Sequence, residues 1–218
     1  MVKLKYNMKN HFYLIYCFGL FLISCTSENF NSLPNRMSLS LGADEIIISS
    51  PKGYCINQET QRRHLSGFSV IISDCFAISN NKMQTLVRSP VRSLVTVTVS
   101  NAKITSEDEL NSLDNLIMSG TIDNALGRND QKISPKILKR SKSNGVYYMC
   151  FEEDLENLEL EAAFQSRIFC RAIFVLNERL VSLVGSDYSS QYSDDKRVEV
   201  LIKDTVSELL KSNRLNEI

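Results

Sequence analysis

Apolar and polar positions change period several times along this chain, and each change marks an element. Three isoleucines, Ile46-Ile47-Ile48, read as a short strand, and Ser50-Pro51-Lys52-Gly53 as a turn into an extended Tyr54–Asn57. Gln58 to His64 is polar and interrupts the pattern. From Gly67 to Cys75 the residues alternate, with Phe68, Val70 and Ile72 on one face and Ser69 and Ser73 on the other. Arg92 to Ser100 alternates again: Val95, Val97 and Val99 point inward, Thr96 and Thr98 outward.

The period then lengthens to that of a helix. Ser106 and Glu109 form a capping box, in which each side chain can take a backbone N–H that the first turn leaves unpaired. Leu110, Leu113, Leu116 and Ile117 follow at helical spacing, and Gly120 suits a left-handed stop. Ile122, Ala125 and Leu126 predict another turn or two ending near Gly127. Ile133 to Lys139 reads as extended and broken by Pro135, and Asn144-Gly145 as a tight turn into Val146–Phe151. Asp154 to Gln165 mixes acids and leucines without a clear period. Arg167–Leu176 and Arg179–Val184 are strands with only Asn177-Glu178 between them, which is a hairpin. Asp194 to Ser212 carries the best helical stripe, formed by Val198, Leu201, Ile202, Val206, Leu209 and Leu210. The whole predicts an α+β fold: a mainly antiparallel sheet with a mid-chain helix and a C-terminal amphipathic helix packed on it.

The N-terminus follows other rules. Lys3, Lys5 and Lys9 precede a mostly apolar run, Phe12 to Ile23, and no acid occurs before Cys25. A basic segment followed by about a dozen apolar residues is the layout of a secretory signal, and is short of the roughly 20 residues of a membrane-spanning helix. An uncleaved membrane helix is the competing reading. Leu22-Ile23-Ser24-Cys25 resembles the lipobox of bacterial lipoproteins. That resemblance implies cleavage after Ser24 and three acyl chains on Cys25, enough for stable attachment where one chain holds only marginally. Thr26 follows, not aspartate, which favours the outer over the inner membrane; the signal has no arginine pair, which favours export by the general secretory route. Residues 1–24 are thus expected to be a signal peptide, 25–45 a lipidated cysteine with an extended tether, and 46–218 one periplasmic domain.

Composition adds constraints. Without residues 1–24 the chain has 194 residues (218 less 24), and 22 basic residues (25 less three lysines) against 25 acidic ones, a charge near −3. That is enough chain for one substantial core and argues against a nucleic-acid partner. The basic cluster of Lys136, Lys139, Arg140 and Lys142 reads as a solvated strand edge. Cys55, Cys75, Cys150 and Cys170 remain beyond the anchor, an even number that favours disulfides in an exported domain. Four thiols allow three connectivities. Cys55–Cys75 with Cys150–Cys170 is preferred because each pair sits on neighbouring strand-like segments, and buried free thiols are the alternative.

The run Ser50-Pro51-Lys52-Gly53-Tyr54-Cys55-Ile56, with the order of elements over about residues 46–212, resembles the PsbP/DcrB-type α/β/α sandwich. That resemblance implies an exported scaffold or accessory role and transfers no catalytic residue.

Candidate chemistry is sparse. Beyond the signal there is one histidine, His64, in the polar run Gln61–His64, and no Gly-x-Ser-x-Gly elbow accompanies it. Glu152, Glu153 and Asp154 adjoin at a strand end, where a solvated turn explains them. Asp123 to Asp130 lacks calcium-loop spacing and its closing glutamate. Tyr147, Tyr148, Phe151, Phe169 and Phe174 read as core, with an apolar pocket as the second possibility. The expectation is a non-enzymatic envelope lipoprotein without metal or cofactor, held to the membrane by its lipid and serving a protein partner. A module for a small apolar or lipid-like ligand, held between sheet and C-terminal helix, is the alternative, and a hydrolase with an unrecognised site the second.

Overall fold

The computed structural model describes residues 33–42, 44–78, 93–126, 135–152, 168–187 and 195–214. The signal, Cys25, the first part of the expected tether and Asp154–Gln165 lie outside these residues.

The elements are β1 (Arg36–Leu41), β2 (Asp44–Ser49), β3 (Tyr54–His64), β4 (Gly67–Asp74), the single turn α1 (Cys75–Ile78), β5 (Ser93–Lys103), α2 (Glu107–Ser119), a 3-10 turn (Asp123–Leu126), β6 (Lys136–Ser143), β7 (Val146–Glu152), β8 (Ile168–Leu176), β9 (Arg179–Asp187) and α3 (Asp195–Arg214). Seven strands form one sheet in the order β3-β4-β5-β9-β8-β7-β6, every neighbour antiparallel. The chain lays down β3 to β5 from one edge and resumes at the far edge with β6. It then steps back by hairpin partners until β9 closes against β5. The α+β expectation describes this architecture.

Directly paired residues share a face, so the alternation in each strand sorts the side chains into two cores. On one face Phe68, Val70, Ile72, Val95, Val97, Val99, Ala172, Phe174, Val181 and Leu183 pack under the α3 stripe of Val198, Leu201, Ile202, Val206 and Leu209. The β1–β2 hairpin covers the same face with Leu39, Leu41, Ile46 and Ile48. On the opposite face Met149, Phe151, Phe169 and Ile173 pack against Ile117 of α2 and Leu126. Phe151 and Phe169 stack with ring centres 4.9 Å apart.

The expected tether is corrected in part. Residues 36–41 are strand, paired with β2 from Arg36–Ser49 to Leu41–Asp44. Met37, Leu39 and Leu41 alternate with Ser38 and Ser40, and Leu39 and Leu41 are buried. Gln58–His64, expected as a break, continues β3 beyond an irregularity between Asn57 and Arg62, because ladder hydrogen bonds need no apolar side chain.

The β1–β2 hairpin is not part of the large sheet and is fastened by side chains. Asn213 of α3 is buried; its Oδ1 accepts from the Ile47 N–H and its Nδ2 donates to the Ile47 carbonyl, both at 2.8 Å. The amide thereby completes the unpaired edge of β2 as a neighbouring strand would. Beside it Ser49 donates to the Ser212 hydroxyl at 2.7 Å. At the hairpin's turn, buried Arg179 donates to the Leu41 carbonyl (2.9 Å), the Asn101 carbonyl (2.6 Å) and the Asp44 carboxylate (2.7 Å). Lys103 bridges Asp44 and Glu178, each at 3.0 Å.

Candidate functional site

Two disulfides close loops of equal separation, Cys55–Cys75 and Cys150–Cys170. The second joins directly paired residues of β7 and β8. Both lie towards the end of the sheet where the chain joins the domain: the Ile56 N–H donates to the Pro34 carbonyl at 2.8 Å and the Ser50 N–H to the Asn35 carbonyl at 2.9 Å. Two disulfides fit a domain that works in an oxidising compartment outside the cytoplasm.

At the other end of the strands a groove opens between α2 and the β6–β7 turn. Helix α2 begins as the sequence requires. The Ser106 hydroxyl accepts from the Glu109 N–H, Glu109 accepts from the Ser106 N–H, and Gly120 closes the helix with φ +80°. The β6–β7 turn is equally tight, with Asn144 and Gly145 at φ +50° and +76°, the mirror-image turn that matches strand twist. Between them lies a cleft of about 310 Å³, open on one side. Leu110, Leu113, Val146, Tyr147, Phe174 and Leu210 supply its apolar surface, with Asn111, Asp114, Lys142 and Asn144 at the mouth.

The polar residues at the mouth are coupled. Lys142 Nζ lies 2.8 Å from Asp114 Oδ1 and 4.9 Å from the centre of the Tyr147 ring. The hydrogen bond from Lys142, and then that from the Tyr147 hydroxyl, hold the Asp114 carboxyl below the usual aspartate range. Asp114 raises Lys142 in turn. Burial, then the hydrogen bond to Asp114, pushes the Tyr147 phenol up. At neutral pH the set is therefore a closed ion pair beside a neutral phenol, which suits binding and orientation and supplies no free base.

The basic cluster lies on edge strand β6 as expected, with Lys136, Lys139 and Lys142 solvated and Arg140 mostly buried, and each cation has an acidic partner. Lys139 reaches Glu199 of α3 at 2.8 Å, while Lys142 pairs with Asp114 of α2 on the opposite face. Arg140, also on the α2 side, pairs with Asp123 and donates to the Met118 carbonyl at 3.2 Å, where a helix C-terminus favours a cation. Lys136 pairs with Glu152 across the β6–β7 ladder at 3.0 Å. Edge strand β6 thus carries ion pairs to a helix on each face of the sheet.

The remaining expected positions separate. Tyr147, Phe151, Phe169 and Phe174 are core, Tyr147 and Phe174 also contribute to the groove wall, and Tyr148 lies partly buried on the α3 side of β7. Glu152 ends β7, and Glu153, Asp154 and Asp130 lie outside the described residues. His64 sits exposed at the end of β3. No group of three His, Cys, Asp or Glu that could hold a metal occurs among the described residues. No described helix is long and apolar enough to cross a membrane.

No family model matches the chain, and no curated protein matches it. Among solved structures it is similar to the extracellular domain of PknH from Mycobacterium tuberculosis, at 11% identity over 71% of this chain and 67% of that one, with a TM-score of 0.36.

Proposed function

We propose that the chain is a lipid-anchored envelope protein whose α+β domain acts as a non-enzymatic docking module for another protein. The groove between α2 and the β6–β7 turn carries this reading. Small-molecule sites enclose most of their ligand in about 300–1,000 Å³. This cleft is at the bottom of that range and open on one side, so it seats one or two side chains of a partner and does not enclose a ligand. It lies roughly 25 Å along the strands from where the chain joins the domain, taking eight residues at about 3.3 Å. An anchor at Cys25 would therefore hold the domain by one end and leave the other free to engage.

Away from Leu210, the described residues leave little space between the sheet and the C-terminal helix. A Cβ on Gly185 would meet Ile202 at 2.9 Å, so α3 lies directly on β9 there. The crevice lined by Tyr148, Cys150, Cys170 and Ile202 has no room for a water.

Two measurements test the proposal. Metabolic labelling with a fatty acid should mark the wild-type chain and not Cys25→Ala; labelling of both sinks the anchor. A photo-reactive residue in place of Leu110 in cells should capture a discrete protein that the same residue in place of Val200, exposed on α3, does not. Identical patterns from both positions, or none, would remove the groove as a docking site.

A further inference from the structure

The groove has a chemical counterpart on the same molecule. Leu65, at the tip of the β3–β4 turn, is completely exposed and follows Arg62, Arg63 and His64, all exposed. The tip is held firmly. The Asn101 side-chain amide donates to the Leu65 and His64 carbonyls at 3.0 and 3.3 Å, and the Asn101 N–H donates to the Ser66 carbonyl at 3.0 Å. Gly67 lies so close to β5 that a Cβ there would stand 2.2 Å from the Val99 carbonyl oxygen. A large apolar side chain is thus presented on a preorganised turn, which lowers the ordering cost of any contact it makes.

The first turn of α2, just before Leu110, offers the opposite charge in the exposed Glu107 and Asp108. Glu107 falls on the same helical stripe as Asn111 and Asp114, one and two turns before them. The groove's own cation, Lys142, is neutralised by Asp114. An apolar groove thus has exposed carboxylates at the start of its helix, and the tip is an apolar point preceded by two arginines.

We infer that the groove is filled by the β3–β4 tip of a second copy of this chain, with Leu65 between Leu110 and Leu113 and Arg63 pairing with Glu107. This rests on the docking reading above and names its partner. Tip and groove lie at the same end of the sheet, five strand spacings apart in the observed order, roughly 24 Å at about 4.8 Å each. A chain therefore does not reach its own groove. Two copies set end to end about a two-fold axis bring each tip to the other's groove and close the assembly with two equal contacts. One hairpin tip is small against the roughly 1,200 Å² of a stable interface, and the symmetric pair doubles it.

The test places a photo-reactive residue at position 65 of the full-length chain in its own membrane and maps the crosslinked peptides. A covalent dimer joining position 65 to the segment around Leu110 or Val146 is expected. Glu107→Lys should reduce its yield about fivefold, as expected for losing two surface ion pairs. Arg63→Glu should do the same, and combining the two should restore the dimer, which a mere folding defect would not do. Crosslinks from position 65 only to lipid or to another protein overturn the inference, as do dimer yields indifferent to both charge reversals. If position 65 captures nothing while position 110 captures a different protein, the second copy falls and the docking groove stands; if neither captures anything, both fall.

Discussion

Asn213 makes the two hydrogen bonds that β2 lacks on its outer side, and a buried amide in that position has no substitute in water. Asn213→Leu keeps the volume but leaves the Ile47 N–H and carbonyl unpaired, at about 1–3 kcal/mol for each such group. The urea midpoint should fall by a corresponding amount with the slope unchanged; a midpoint within error of wild type would mean the hairpin finds another partner. Asp44 poses the complementary electrostatic case. Hydrogen bonds from Lys103 and then Arg179 hold its carboxyl below the usual aspartate range. A lowered folded-state value means that its contribution is complete above about pH 4, the unfolded value, and is lost as pH falls through the folded one. The buried Arg179 is then left beside a neutral acid. Lys103 is raised, by Glu178 first and then Asp44, so its share is present below about pH 10 and lost as pH rises further. Unfolding curves collected from pH 7 to 2 should show a shallower acid decline for Asp44→Asn than for wild type. Parallel declines would deny Asp44 this role.

Among the elements, α3 is the one whose position a single glycine decides. Gly185→Ala puts a Cβ 2.9 Å from two carbons of Ile202. Ile202 must then turn aside or carry the helix away from β9, at about 1–3 kcal/mol for such overpacking. Ile202→Val in the same background should recover part of that loss, although alone it costs about 0.5–1.5 kcal/mol; simple additivity of the two would refute the contact. This register was invisible in the sequence, where Gly185 is one small residue after an apolar run. Helix α2, by contrast, was fully legible, because Ser106, Glu109 and Gly120 fix its ends locally. Strand β1 was hidden by its setting: Ser38 and Ser40, together with the nearby Asn and Pro, give the composition of a tether, and only the pairing with β2 makes its short alternation count. The groove was hidden more deeply. Asp114 and Lys142 stand on different elements, and they meet because the chain returns from the far edge of the sheet. The cations of β6 were legible as a solvated edge, but not the acids on both faces to which their alternation sends them.

For the molecule as a whole, the two disulfides are the constraint that acts on the unfolded chain. Each spans 20 residues, which in the chain-entropy account is worth about 3 kcal/mol. Replacing both Cys150 and Cys170 by Ala should lower stability by about 2–4 kcal/mol under oxidising conditions. A non-reducing peptide map of the native protein should contain the 55–75 and 150–170 bridges, and free thiols at all four positions would contradict the structure. The bridges strengthen the end where the chain joins the domain. The opposite end is held by the Arg179 and Asn101 hydrogen bonds and by the ion pairs around Lys103 and Lys142.

That polarity has a mechanical meaning. A pull between Leu33 and the far turns runs parallel to the strands, while the ladder hydrogen bonds lie across them. Tension applied at Leu33 enters through β1, whose six pairs with β2 are loaded in shear together and do not unzip one by one. The β1–β2 hairpin is therefore stiff against a pull applied at Leu33, whereas an edge strand of the large sheet yields when peeled sideways.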